Sequence, residues 1–396
     1  MRTVDAGGLP IGDGHPPRIM GVLNVSEESP YDPSVFADPA EAARYVDREL
    51  IDEGADVVDV GLESANKRYE VLPPEEELAR LDTAVETIER VAGDAVFSIE
   101  TRYAEVADEA LSRGFDMVND VCGFADPEMP EVCRDHDAAV VKMASPPDLE
   151  RPGAVEETPW AERKDEGWAE SADYVGEVYE ALKQNGVTDK TIVDPAFGSW
   201  SEAQGVEEDR ETFRRLREFR GLGRPILVSI NRKNFLRMLA DRSTEEALPV
   251  SLAATSMAVE RGAHLIRTHD VAETRDAALV GDAFTRDRHR HDDEVRVEEL
   301  DVTTPGEADR HLERVGADRS LPPETTTRVY DVSGLSEAQR GRLADAAGDV
   351  GATLAAGTSG ALLFGTEGAL DRLAAKLADA SGGLAAVREV VGRRDG

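Results

Sequence analysis

Lysine is scarce in this chain: seven residues among 45 basic ones, set against 81 acidic ones, for a net charge of −36. Such self-repulsion opposes compaction at low salt and is screened at molar ionic strength, where the Debye length is about 3 Å. An acidic protein of ordinary salinity would carry more lysine, so the balance reads as adaptation to a salty cytoplasm. No concentrated basic face is visible, which argues against a nucleic-acid partner. Only two cysteines occur, Cys122 and Cys133. They exclude a disulfide framework and suit buried thiols in a reducing compartment. Aromatic residues make up 5% of the chain, so the core must rest on Ala, Val and Leu. No apolar run approaches the roughly 20 residues that span a bilayer, and the opening MRTVDAGGLPIGDGHPPR lacks a signal-peptide core. These absences lead to the expectation of a cytoplasmic protein without membrane contact.

What is present is a repeated grammar in which an apolar run closes on polar residues. Its clearest instance is Pro225 to Phe235, PILVSINRKNF, where Ile226, Leu227, Val228 and Ile230 read as a buried strand ending at Asn231, Arg232 and Lys233. Ile19 to Leu23 closes on Asn24, Val57 to Gly61 on Glu63 and Ser64, and Val96 to Ile99 on Glu100. Met117 and Val118 close on Asn119, Thr191 to Val193 on Asp194, and Leu265 and Ile266 on Arg267 and His269. Ala138 to Met143 adds one more strand. Between the runs lie amphipathic segments, such as the stripe of Leu78, Leu81, Val85, Ile88 and Val91. Strand and helix in alternation mean a parallel sheet. Eight such units in about 270 residues match a (β/α)8 TIM barrel, whose chemistry lies at the carboxyl ends of its strands. A doubly wound sheet competes, but no GxGxxG turn follows the first strand. Residues 1 to 18, rich in Gly and Pro, read as a hairpin or cover for the barrel floor.

The barrel is expected over residues 1–284, followed by a charged linker at 285–294, TRDRHRHDDE. His289 and His291 in that linker are the residue type for a metal, yet a solvated run is the commoner meaning. Residues 295–396 read as a small C-terminal α/β domain with one helical layer on a sheet, a pattern that admits a ferredoxin-like arrangement. That part carries no catalytic constellation.

Taken together and in order, IMGVLNVS (19–26), GADVVDVGLES (54–64), FSIETR (97–102), MVNDVCGF (117–124), TIVDPAFG (191–198), ILVSINRKNF (226–235) and IRTHDV (266–271) resemble the dihydropteroate synthase family of pterin-binding barrels. With the acidic composition, the resemblance implies a divergent member from a halophilic archaeon. It covers about residues 18 to 284. It implies a transferase of folate biosynthesis that condenses hydroxymethyl-dihydropterin pyrophosphate with p-aminobenzoate or a related arylamine, releases pyrophosphate and uses Mg2+. It also implies a homodimer through barrel helices.

The roles that follow suit the residues. A pterin presents a flat amide and guanidine-like edge, which a carboxylate such as Asp194 can accept in two parallel N–H bonds. Asn119 both donates and accepts, Glu100 adds an acceptor, and Lys233 brings a donor and positive charge. Arg267 and His269 are placed to hold the leaving pyrophosphate, Asn24 to offer an oxygen to magnesium. Ser64, Lys67, Arg68 and Asn231 belong to the loops that face pyrophosphate and arylamine. Singly, each has a plainer meaning: Asp194 before Pro195 can shape a turn, Asn24 and Asn119 can cap helices, Glu100 can be a solvated acid, and Arg232 can pair with an acid outside the pocket. Lys233 is harder to dismiss in a chain that has so little lysine.

The family usually carries an aspartate where Glu100 stands and a Ser-Thr-Arg-Pro-Gly loop where Ser64 is followed by Ala65, Asn66, Lys67 and Arg68. It has a Thr-Pro-Asp-Ser-Phe-Ser-Asp type of first loop where this chain reads SEESPYDPS (26–34). A histidine is common after Met143, and a serine usually stands in place of Asn231. The pterin half therefore matches better than the arylamine half. Two other functions compete: a pterin-dependent methyltransferase barrel, and a non-catalytic pterin-binding or scaffold protein.

Overall fold

The computed structural model describes residues 2–26, 34–64, 69–286, 288, 290–292, 295–357 and 360–392. The chain divides into two compact units, Met1–Asp287 and Arg288–Gly396.

The first unit is a (β/α)8 barrel. A short antiparallel hairpin, β1 (Val4–Ala6) and β2 (Leu9–Ile11), precedes eight parallel strands. These are β3 (Arg18–Asn24), β4 (Val57–Gly61), β5 (Val96–Thr101), β6 (Met117–Asp120), β7 (Ala139–Met143), β8 (Thr191–Asp194), β9 (Leu227–Val228) and β10 (Leu265–Thr268). They pair in the order β8-β7-β6-β5-β4-β3-β10-β9. A single parallel bridge, Val193 to Ile226, closes β9 onto β8. β9 is shorter than its apolar run suggested, because Pro225 has no N–H for the ladder and the chain leaves the sheet before Arg232 turns left-handed at φ 53°.

Period-two alternation decides what faces inward. Met20, Val57, Val96, Met117, Ala139, Val141, Ile192, Leu227 and Leu265 form an apolar floor layer, against which Val4, Ala6 and Ile11 of the hairpin pack. The expected cover is therefore this hairpin. It is locked in place by Asp13, which accepts from Arg220 at 3.1 Å and meets His264 Nε2 at 3.0 Å. Outward-facing residues such as Val58, Val60, Ile99 and Val118 pack against the helices in a second, larger core.

The helices follow local signals. Asp38 caps Pro39–Tyr45 by accepting from the Glu41 N–H at 2.9 Å, with proline in the first turn. The stripe at Leu78 lies in Pro74–Ile88. The one helix expected around Trp160 and Trp168 is instead two, Trp160–Arg163 and Glu166–Ser171, since Asp165 starts a new helix by accepting from the Trp168 N–H at 2.8 Å. A third helix, Tyr174–Lys183, then runs to β8.

The second unit has a three-stranded antiparallel sheet of β13 (Thr327–Val332), β14 (Thr353–Ala356) and β15 (Ala361–Thr366), ordered β13-β15-β14. A hairpin of β11 (Arg290–Asp292) and β12 (Arg296–Glu298) precedes it, so part of the expected linker is strand. His289 lies outside the described residues. The strand-helix-strand-strand-helix order from β13 onward is that of a ferredoxin-like unit. Where such a unit has a fourth strand, this chain forms the helix Gly383–Val391, whose Leu384 and Val391 join the small core.

Candidate active site

The same alternation that seals the floor gathers the chemistry at the other end. Continuing each inward register one or two steps gives Val22 and Asn24, Asp59 and Gly61, Ser98 and Glu100, Asn119, Asp194, Ser229 and Asn231, Arg267 and His269. Residues from seven strands thus converge on one mouth.

At its centre is Asp59, fully buried, a residue the sequence reading missed. Its carboxylate accepts from Ser98 Oγ at 2.8 Å, Asn119 Nδ2 at 2.9 Å and Arg267 Nε at 2.7 Å. The signal was there: an acid at an inward position of VVDVG has to be matched by donors. Arg267 also donates from Nη2 to Glu100 at 2.5 Å. Burial alone would lower its pKa, but Glu100 and Asp59 raise it well above the usual arginine range. Glu100, expected to face the pterin, is thus the partner of Arg267. Burial pushes its carboxyl up to about 7 against the pull of Arg267, because Asp59 already shares that guanidinium.

Asn119 gives an amide hydrogen to Asp59, which leaves its Oδ1 as an acceptor. Asp194 accepts from the Ala196 N–H at 2.8 Å through Oδ1, leaving Oδ2 and the second lone pair of Oδ1 for a ligand. Burial raises its pKa to about 6, opposed by that hydrogen bond, Lys233 and Arg267. Lys233 follows β9. Among the described residues its ammonium has no hydrogen-bond or ion-pair partner and only faces the Trp200 ring, 5.8 Å from the centroid. Burial and then Arg267 lower its pKa. Lys142 makes the contrast: its buried ammonium is committed to the carbonyls of Gln184 and Gly186, the latter at 2.8 Å. Gly198 (φ 138°) lets the backbone pass Lys233, since a Cβ there would come within 2.7 Å of Nζ.

Beside Lys233 opens a cavity of about 210 Å³ lined by Val22, Ser229, Asn231, Arg232, Thr244, Arg267 and His269 among others. Burial and the neighbouring Arg267 depress His269 to about 3, so it is neutral in the ligand-free chain. Arg232 pairs with Asp270 through Nε and Nη2 at 2.9 and 2.8 Å, and Asn231 Nδ2 donates to the same carboxylate at 2.9 Å. Arg232 thereby ties the β9 loop to the β10 loop while its edge still lines the cavity.

Asn24 Nδ2 donates to Ser34 Oγ at 2.9 Å, which orients Oδ1 toward Gly61, where a Cβ would come within 2.9 Å of it. Among the described residues no group of three His, Cys, Asp or Glu side chains could cage a metal. Magnesium keeps several waters and takes substrate phosphates, so one oriented protein oxygen fits it. Ser64 is buried at the end of β4, next to Glu63, which pairs with Arg102 at 3.3 Å. Lys67 and Arg68 lie outside the described residues, as does most of the first loop.

A closed eight-stranded barrel whose mouth offers a deep carboxylate, an amide and an unpartnered ammonium is built to hold a flat, hydrogen-bonding heterocycle. Residues 20–269 match the model of the pterin binding enzyme family. A probable bifunctional folylpolyglutamate synthase/dihydropteroate synthase of Halobacterium salinarum is 34% identical over 271 residues, covering 68% of this chain and 32% of that one. The chain thus spans about a third of that relative's length. The dihydropteroate synthase of Escherichia coli is 30% identical, covering 67% of this chain and 91% of its own. The solved structure of Xanthomonas albilineans dihydropteroate synthase with 4-aminobenzoic acid superposes with a TM-score of 0.56 at 29% identity, over 71% of this chain and 97% of that one. The chain belongs to the pterin binding enzyme family, as a divergent member of its dihydropteroate synthase branch. No helix among the described residues is long and apolar enough to cross a membrane.

Proposed function

We propose that the chain is a transferase that condenses 6-hydroxymethyl-7,8-dihydropterin pyrophosphate with p-aminobenzoate or a related arylamine. The observation that carries this reading is the Lys233 ammonium, without a hydrogen-bond or ion-pair partner among the described residues, standing within electrostatic reach of Asp194 in the cavity that Arg267 and His269 line. Asp194 accepts two parallel N–H bonds from the pterin's amide and guanidine-like edge, and Asn119 Oδ1 accepts a further one. Lys233 donates to the ring carbonyl and places positive charge beside it. Arg267, whose Nη1 is uncommitted among the described residues, and His269 face the leaving group. The amine nitrogen attacks the exocyclic methylene; its C–N bond forms as the C–O bond to pyrophosphate breaks, the electron pair departs with pyrophosphate, and the amine proton passes to solvent. No covalent nucleophile is needed, since position and charge stabilisation carry the step. Asn24 Oδ1 is the protein oxygen that would hold magnesium, which supplies charge neutralisation at the leaving pyrophosphate.

Pyrophosphate release in molar KCl, with magnesium, pterin pyrophosphate and p-aminobenzoate, tests the reading. Lys233→Ala and Asp194→Ala should each lower turnover by roughly 10³-fold or more. Full activity in both variants sinks it. The homodimer that family resemblance implies is supported by exposed Met257, Leu279, Val280 and Phe284, carried by Leu248–Glu260 and by Val271–Ala283 and its end, two helices that pack together. Sedimentation in molar salt should give a dimer for the intact chain and a shift toward monomer for Val280→Glu.

A further inference from the structure

The sheet of the second unit is open along one side. β15 is paired on both flanks, so β13 and β14 are its edges. In an antiparallel ladder, alternate residues turn their N–H and C=O toward a given neighbour. The Glu367 N–H donates to the Thr326 carbonyl at 3.2 Å, and from there the register runs from Thr327 against Thr366 to Val332 against Ala361. Arg328, Tyr330 and Val332 therefore bond β15, while Thr327, Val329 and Asp331 turn their main-chain groups outward. No partner for those groups occurs among the described residues. The other edge is blunted by being short: β14 spans Thr353–Ala356 and turns only Leu354 and Ala356 outward.

A regular unpaired edge is a template for another strand, and chains normally guard it with proline, a bulge or a row of charges. β13, TRVYDV, has no proline and no break in its register, and of its two charges Arg328 is already paired with Glu367 at 2.7 Å. In a chain with 81 acidic residues this strand carries one, Asp331. A ferredoxin-like unit lays its own fourth strand on this edge. Here the segment that would supply it is the helix Gly383–Val391, held in the small core by Leu384 and Val391. Side chains repeat the pattern. Tyr330 and Val332 pack into that core, whereas Val329 is 62% exposed beside Phe364, on the face that also carries exposed Leu362.

We propose that β13 is a pairing edge for a second copy of this chain, joined antiparallel across a two-fold axis at Val329. The occupant is a second copy because the outward set is its own complement. At that axis Val329 meets Val329, and Thr327 meets Asp331 of the second copy. Every outward N–H and C=O then has a partner, the Thr327 hydroxyl donates to the Asp331 carboxylate, and no like charges stand opposite. Moving the axis to Arg328 or Tyr330 sets Asp331 or Thr327 against residues outside the strand. The contact is isologous, so it closes on two copies and extends the sheet from three strands to six. It uses none of the residues of the barrel helices that carry Val280.

The test uses the intact chain in molar KCl, whose own cysteines, Cys122 and Cys133, are buried. In a hydrogen-bonded antiparallel pair the Cα atoms stand about 5.5 Å apart, within the roughly 4.4–6.8 Å that a disulfide spans. With oxidised glutathione, Val329→Cys should form a covalent dimer about tenfold or more faster than Val315→Cys, since pairing replaces chance encounter by a fixed effective concentration. Val315 ends the helix Pro305–Val315 and is as exposed as Val329. Thr327→Cys alone and Asp331→Cys alone should behave like Val315→Cys. The double variant, whose two thiols lie about 14 Å apart within one strand, should crosslink between copies as Val329→Cys does. Equal rates for Val329→Cys and Val315→Cys overturn the proposal and leave the edge to a strand of another protein. Rapid crosslinking of Thr327→Cys by itself overturns it too, since the register would be wrong. Neither readout depends on turnover, so the transferase reading stands or falls separately.

Discussion

The two ends of the barrel use the same strands to opposite purposes. Two residues along a strand separate Val57 from Asp59, Val96 from Ser98, Met117 from Asn119 and Leu265 from Arg267. At the first of each pair the interior is apolar and closed by the β1–β2 hairpin; at the second it is charged and open. Stability and chemistry are therefore separable by a shift of two residues, with one residue, Asp59, belonging to both.

The sharpest way to break that separation is Asp59→Ala. It removes the acceptor for Ser98, Asn119 and Arg267 together and leaves a buried guanidinium short of charge, so it should cost roughly 3–5 kcal/mol of stability. Turnover should fall at least as far as for Glu100→Gln; a denaturant melt alongside pyrophosphate release checks both. Next, Ile11→Ala on the floor should cost about 2–5 kcal/mol by leaving a cavity under the hairpin. It should leave turnover per folded molecule unchanged, which kinetics well below the melting temperature will show.

The smallest expected effect is a pH dependence. Burial raises Asp194 from its ordinary value to about 6, so its neutral form is favoured by folding. The stability that the neutral carboxyl contributes is present below the unfolded pKa of 3.8 and is lost as pH rises through about 6. On the proposed function, Asp194 binds the pterin in its ionised form, so binding should weaken as pH falls through 6. Asp194→Asn should then raise the melting temperature of the ligand-free chain by a few degrees at pH 7.5, roughly the shift that 1 kcal/mol produces, while abolishing pterin binding. A melting temperature that drops would show that the carboxylate is held by its donors rather than strained by burial.

Much of this arrangement is legible in the sequence because periodicity carries it. Runs that close on Asn119, Asp194 and Lys233 mark strand ends, and strand ends of one parallel barrel must meet. What stayed hidden depends on contacts between distant segments. Asp59 sits in mid-strand, and only the barrel's closure brings Arg267, 208 residues away, to it. Glu100 reads as an acceptor for the pterin, or as a solvated acid, until that same arginine arrives. Trp200 lies in a loop with no period at all, positioned by Gly153 and Gln204. The pairing of Arg232 with an acid was expected from the sequence; that Asp270 is the acid, and that Arg232 still edges the cavity, was not.

The lock between Asp13 and His264 also sets a schedule. The two residues are 251 positions apart, and the strand that follows Asp13 pairs with β10, the last barrel strand to be made. At about 5–20 residues per second of synthesis, the floor hairpin waits roughly 10–50 s for its partner. Through that interval the barrel floor and its hairpin are held without the His264 contact that later locks them.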